Sequence, residues 1–205
     1  MEFREVVQKR RAVKKFDPGH AISDAELKHI FGQVALAPSS FNIQHTRFVV
    51  VRDKRTKAAL RQAAFNQEQV ETASATVAVV GKLNAHEDAA EIYQETPASV
   101  REVMLPMIRG FYEGKPQMQR DEAIRSAALS AMTLMLAAQD AGYASGPMIG
   151  FDQEEVSKVL GLDRNHIPVM LVVIGKPVGE QRARPFRYPL EATVKLDSWS
   201  GPGLR

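Results

Sequence analysis

The chain has 205 residues, enough to bury a sizeable core in one large domain or two small ones. Hydrophobic residues make up 44% and charged residues 25%, and no apolar run approaches the ~18 residues a bilayer demands, which excludes a spanning helix. There is no cysteine, so disulfides, thiolate metal ligands and a cysteine nucleophile are excluded, and the net charge of +3 (27 Lys+Arg against 24 Asp+Glu) suits a small anion as well as a long one.

The opening residues Met1 to Glu5 carry mixed charge and no apolar core, so no secretory signal is expected and a cytoplasmic location is the simplest reading. Phe3, Val6, Val7 and Arg10 stand at helical spacing over residues 2–10. Ser23-Asp24-Ala25-Glu26 has the form of a capping box and opens a helix with Leu27, Ile30, Phe31 and Val34 on one face, closed by Pro38. Phe48 to Val51 and Ala75 to Val80 read as buried strands, the second ended by Gly81. Residues 86–112 are expected to be helical but broken near Pro97 and Pro106. A long helix is expected from about Asp121 to Ala141, with Ile124, Ala128, Ala131, Leu134, Met135 and Ala138 inward. Gly142 ends it, and Tyr143 to Gly150 reads as a glycine-rich loop linking it to a short helix capped by Asp152. Val169 to Ile174 is a third strand, and from Gly175 the chain is irregular and proline-rich. Such a tail cannot bury itself and should wrap over the body or a partner.

Four short segments carry candidate chemistry. Arg10-Arg11-Ala12-Val13-Lys14-Lys15-Phe16 offers bidentate and point-charge contacts to a phosphate, although cations at a helix C-terminus also simply complement its dipole. Pro38-Ser39-Ser40-Phe41-Asn42-Ile43-Gln44-His45 packs hydroxyls, amides and an imidazole into a few residues, which suits a heterocycle with several carbonyls; an ordinary polar turn has the same composition. Gly142 to Gly150 allows the backbone to approach a flat ligand closely. Arg182-Ala183-Arg184-Pro185-Phe186-Arg187 supplies further anion-binding forks on a stiffened tail.

Taken in order, these segments resemble the nitroreductase family, in its short bacterial NAD(P)H-dependent flavoprotein branch. The family's Arg-Arg-Ser-x-Arg-x-Phe is matched by Arg10, Arg11, Ala12, Lys14 and Phe16, and its Pro-Ser-x-x-Asn-x-Gln-Pro by Pro38, Ser39, Ser40, Asn42 and Gln44. Asn66-Gln67-Glu68-Gln69-Val70 resembles its middle Asn-Gln segment. Pro147, Gly150, Phe151 and Asp152 match its Pro-x-x-Gly-Phe-Asp, and Arg187, Pro189 and Leu190 its terminal Arg-x-Pro-Leu. Ala12 replaces a serine, Lys14 an arginine, His45-Thr46 a Pro-Trp pair, and Ile149 a glutamate of some members.

The resemblance implies an α+β fold, a central mostly antiparallel sheet flanked by helices, as one domain over residues 1–205 whose tail from about 176 wraps the partner of a homodimer. It implies FMN at the subunit interface, reduced by NAD(P)H and reoxidised by nitroaromatics, quinones or similar electron-poor molecules in ping-pong turnover. Arg10, Lys14 and Arg187 would hold the phosphate, with Arg184 as a further candidate, and Arg11 and Ala12 would lie near the ring edge or ribityl chain. Asn66 and Gln69 would meet the ring. Pro38, Ser39, Ser40, Asn42 and Gln44 would come from the other subunit. Pro147, Met148, Ile149 and Gly150 would lie under the ring, the Ile149 amide facing N5. His45, Phe111 and Tyr112 would line the open substrate side. No metal, membrane or nucleic acid is implied, and no side chain acts as catalytic acid. Two other readings stay open: a same-fold flavoenzyme with another reaction, such as dehalogenation or flavin modification, and a basic nucleic-acid-binding protein, against which the lack of any recognition motif speaks.

Overall fold

The computed structural model describes residues 1–205. In chain order it contains α1 (Phe3–Lys9), α2 (Asp24–Val34), β1 (Thr46–Val51), α3 (Lys54–Ala63), α4 (Gln69–Thr72), β2 (Ala75–Lys82), α5 (Ala89–Ile92), α6 (Ala98–Tyr112), α7 (Pro116–Asp140), β3 (Ala144–Met148), α8 (Gln153–Leu160), β4 (His166–Gly175) and α9 (Leu190–Thr193). The strands form one antiparallel sheet in the order β1-β2-β4-β3.

Both faces of this sheet are covered, which is why its central strands read as unbroken apolar runs rather than as an alternation. Ala75, Val77 and Val79 of β2, with Val172 and Ile174 of β4, pack against Leu27, Ile30 and Val34 of α2 and Ala127, Ala131, Leu134 and Ala138 of α7. Ala78, Val80, Leu171 and Val173 point the other way, onto Leu60 and Ala63 of α3, Val70 of α4 and Val156 of α8. Val13, Phe16 and Met148 join that second layer. The small residues of α7 bring its axis close to the sheet, so α7 lies as a central beam under β1, β2, β3 and β4.

The capping box at the start of α2 is complete: Ser23 Oγ accepts from Glu26 N, and the Glu26 carboxylate accepts from Ser23 N. Asp152 caps α8 by accepting from the amides of Glu154 and Glu155.

Several expectations are corrected. The segment after Gly142 is not a helix-connecting loop but β3, the sheet's edge strand, paired along its length with β4. An edge tolerates Pro147, whose missing amide would break a central ladder. β2 continues through Gly81, which pairs with Thr46 and leaves room for Ala123 of α7. Pro106 does not break α6; only the Pro97 interruption is real. The buried Ile108 and Tyr112 hold that helix in place beyond the proline. α7 starts earlier than Asp121, with Pro116 in its first turn, where a missing amide costs nothing. Ala128 faces outward; Ala123, Ser126 and Ala127 take the buried positions.

Candidate functional site

Three of the four candidate segments converge on β3. After α1 the chain runs extended along that edge: Ala12 bridges Ser145 in parallel, and Val13 N donates to Ser145 O at 3.0 Å. It then pairs with the chain leaving β4, through Asp17 N to Lys176 O and Val178 N to Lys15 O. Val13 and Phe16 are buried in the core, so Ala12, Lys14 and Lys15 are left facing out.

The basic tail returns to the same place. Arg184 Nη2 donates to the carbonyls of Val7, Gln8 and Arg10, capping the open C-terminal end of α1. Arg10 is half-buried; burial, then the like charges of Arg184, Arg11 and Arg187, makes its guanidinium less basic than usual. None of Arg10, Arg11, Lys14, Lys15, Arg182, Arg184 and Arg187 makes an ion pair with any carboxylate. Gathered cations without counter-charge repel one another, and the arrangement is relieved by a bound anion. Beside them a cleft of about 200 Å³ is lined by Ala12, Lys14, Lys15, Val178 and Arg182, with Glu180 as its one acidic residue.

The middle segment closes on the end of β3. Gln67 Nε2 donates to Gly150 O at 2.8 Å, and the buried Gln69 donates to Met148 Sδ and to Gln67 Oε1. Gln69 therefore acts as an internal brace and not as a ligand contact, which corrects its expected role; Met148 likewise turns its side chain inward. Asn66 is exposed with φ of 58°, next to Phe65 at 53°. Ile149 is 78% exposed, and its amide donates to no group of the protein. The Gln67 tether is a contact that sequence spacing alone did not single out, and neither did it flag Ser145, whose hydroxyl is buried without a partner under the basic segment.

The fourth segment, residues 38–44, stands apart in this chain. It packs on a separate cluster of Ile43, Ala85, Ala89, Ile108 and Tyr112. Phe41, Asn42 and Gln44 all have φ between 52° and 55°. Of six non-glycine residues with positive φ in the chain, five lie in this segment or at Phe65–Asn66. Asparagine tolerates that region, but a phenylalanine or glutamine there costs about 1–3 kcal/mol, a cost that concentrates at functional sites.

His45 and Tyr112 are corrections. Their exposures are 1% and 0%, so neither lines an open pocket. His45 Nδ1 lies 3.4 Å from Ser126 Oγ, which donates to Glu122, and its ring stands edge-on to Tyr112. Phe111 alone of the three remains exposed, against Phe41. Burial pushes the His45 pKa down from 6.5 to about 4, with Glu122 opposing. The folded chain thus keeps His45 neutral while the unfolded chain binds a proton below pH 6.5. Stability contributed this way is complete above pH 6.5 and is lost as pH falls towards 4, by up to about 3 kcal/mol. Thermal melting followed from pH 7 to pH 4 should fall more steeply for wild type than for His45→Gln; parallel curves would rule out His45 as the titrating group.

This geometry can be set beside known proteins. The profile of the Nitroreductase family matches residues 7–176, so the chain belongs to the nitroreductase family. It is 41% identical over 95% of its length to 98% of MhqN of Bacillus subtilis, whose name describes an NAD(P)H nitroreductase. A structure from Exiguobacterium sibiricum described as a nitroreductase in complex with FMN superposes with a TM-score of 0.90 at 33% identity, covering 96% of this chain and 98% of that one. An enone reductase of Lactiplantibacillus plantarum is 32% identical over 86% of each chain. The family assignment makes the chain an oxidoreductase of α+β nitroreductase fold.

Proposed function

We propose that the protein is a homodimeric, FMN-dependent NAD(P)H oxidoreductase that reduces electron-poor small molecules such as quinones and nitroaromatics in the cytoplasm. The observation that carries the reading is the gathering of Arg10, Arg11, Arg184 and Arg187 with no ion-paired acidic partner, tied at Ala12 to the edge strand whose far end leads into an exposed loop with a free amide at Ile149. The residues present fit FMN: a multiply charged phosphate for the arginines, polar ring edges for Asn66 and the Ile149 amide, and a close-lying backbone at Pro147 to Gly150. When bound, FMN supplies a hydride store that NAD(P)H fills and the acceptor empties. The chain's own part is binding and positioning. Arg10, Lys14 and Arg187 hold the phosphate, Arg11 and Ala12 lie along the ribityl chain, and Arg184 fixes the end of α1 that carries them.

Residues 38–44 share no hydrogen bond or ion pair with that cluster and pack in a separate one, which supports a site completed by a partner subunit. So does the tail, where Phe186, Tyr188 and Trp199 are 75%, 71% and 93% exposed. Burying that surface against a second copy should produce an interface above ~2,000 Å², typical of obligate dimers. No helix is long and apolar enough to cross a membrane.

Pro147 to Gly150 would lie against one face of the bound ring, so that donor and acceptor would compete for the other. Double-reciprocal plots against NADH or NADPH and a panel of quinones, nitroaromatics and enones should be parallel, and the purified protein should sediment as a dimer. Intersecting plots would replace the shared site by a ternary complex, and a flavin-loaded monomer would remove the two-subunit site. The enone relative makes the carbon–carbon double bond the second acceptor class to test, and a much higher kcat/KM on enones would move the assignment there.

A further inference from the structure

Resting on the flavin reading above, we propose that Gln67 is a positioning residue that pins the Gly150 carbonyl, so that the Ile149–Gly150 loop meets the cofactor as a hydrogen-bond donor alone and holds its reduction potential down. The contact is direct. Gln67 Nε2 donates to Gly150 O at 2.8 Å, and Gln67 Oε1 accepts from Gln69 Nε2 at 2.9 Å. Gln69 is buried and also donates to Met148 Sδ at 3.1 Å, so the Gln67 amide is held at both ends. It cannot flip, because its oxygen would then face the Gly150 carbonyl.

The backbone groups of the loop divide unequally. Ile149 O accepts from Phe151 N at 3.1 Å, and Gly150 O is taken by Gln67. Asp152 N is spent on Ala63 O at 2.8 Å, which ties the loop to the end of α3. The amides of Ile149 and Gly150 donate to no group of the chain. The carbonyls of both residues are thus filled from within, and their two unused groups are both donors. At the other end of the tether, Phe65 and Asn66 have φ of 53° and 58°, and Gln67 follows directly on them. A left-handed phenylalanine persists only where its surroundings over-determine it. Gln67 so joins two exposed ligand candidates, Asn66 and the Ile149 amide, in one fixed frame.

The redox consequence follows from general flavin chemistry. The ring nitrogen that receives the hydride is an acceptor in oxidised FMN and bears a hydrogen in reduced FMN. A loop offering only amides suits the oxidised form, whereas a freed Gly150 carbonyl would suit the reduced one. By holding that carbonyl away, Gln67 leaves the reduced cofactor readier to pass its electrons on.

The test compares flavin-loaded wild type with Gln67→Met, which keeps the length of the side chain and removes the donor; Gln67→Leu serves if the first variant folds poorly. The midpoint potential of the bound FMN is measured against a redox dye, together with amide exchange at Phe151 in the flavin-stripped proteins. The potential should rise by about 30 mV, equal to a tenfold loss of affinity for oxidised relative to reduced FMN. Exchange at Phe151, whose N–H bonds within the loop, should quicken. A merely structural loosening would weaken both forms equally and leave the potential where it was. An unmoved or lowered potential would overturn the proposal, as would unchanged exchange. Wild type that takes up no FMN would overturn the flavin reading and this proposal with it; FMN bound at an unmoved potential overturns this proposal alone.

Discussion

Gly146→Ala should destabilise the protein by about 1–3 kcal/mol and strip its flavin, although it adds a single methyl group to a strand. A Cβ there would lie 2.5 Å from the Val13 carbonyl oxygen and 3.0 Å from Val173 Cγ2. The first neighbour is backbone and cannot rotate away. The strain must go into the pairing of residues 12–13 with β3, the contact that carries Arg10, Arg11 and Lys14 to the site. For a chain of this size the melting temperature should drop by roughly 2–12 °C. Gly32→Ala is the matched control: Gly32 lies inside α2 with nothing within 4 Å of its would-be Cβ. That variant should gain about 0.5–1 kcal/mol from helix propensity and keep its flavin. Equal melting of the two variants would mean that the 10–13 segment does not lean on β3 as described.

Arg187→Ala should raise the FMN dissociation constant roughly ten- to a hundredfold while sparing turnover of the loaded enzyme, since a charge-assisted contact contributes about 1.5–3 kcal/mol. Arg187 bonds only neighbouring carbonyls of its own tail and keeps no acidic partner. Arg184→Ala should cost less, because Arg184 already spends one Nη on three carbonyls of α1. Its loss should show chiefly as fraying of that helix, by faster amide exchange at Arg10, whose N–H donates to Val6 O. Dialysis of both variants against flavin-free buffer separates the roles; an Arg187→Ala protein that keeps its flavin as well as wild type cannot have lost a phosphate ligand.

The parts legible in the sequence were those set by local chemistry. The capping box at Ser23, the cap at Asp152 and the apolar runs of β1, β2 and β4 depend on neighbours within a few residues, and all stand in the structure. β3 was illegible because Ser145, Gly146 and Pro147 have no strand preference of their own; pairing to β4 and the close approach of Val13 make them a strand. Pro106 misled because its penalty is local while α6 is held by Ile108 and Tyr112 in a distant cluster. The same limit governs the site. Residue types marked the four segments, but which side chains are inward braces and which face out is decided by tertiary burial. Gln69, His45 and Tyr112 were therefore misplaced, whereas Met148 turns only its side chain inward, Arg10 and Arg11 are partly buried, and Ile149, Asn66, Lys14 and Arg187 are exposed.

The central claim is that this chain binds FMN and exchanges electrons through it. The most direct measurement is an anaerobic titration of the purified protein, watching the visible flavin bands. The account predicts a yellow protein whose heat-released cofactor is FMN, a single one for each chain. Its bands should bleach on addition of NADH or NADPH and return on addition of a quinone or nitroaromatic. A colourless protein, a released FAD, or bands that neither nicotinamide bleaches would contradict it.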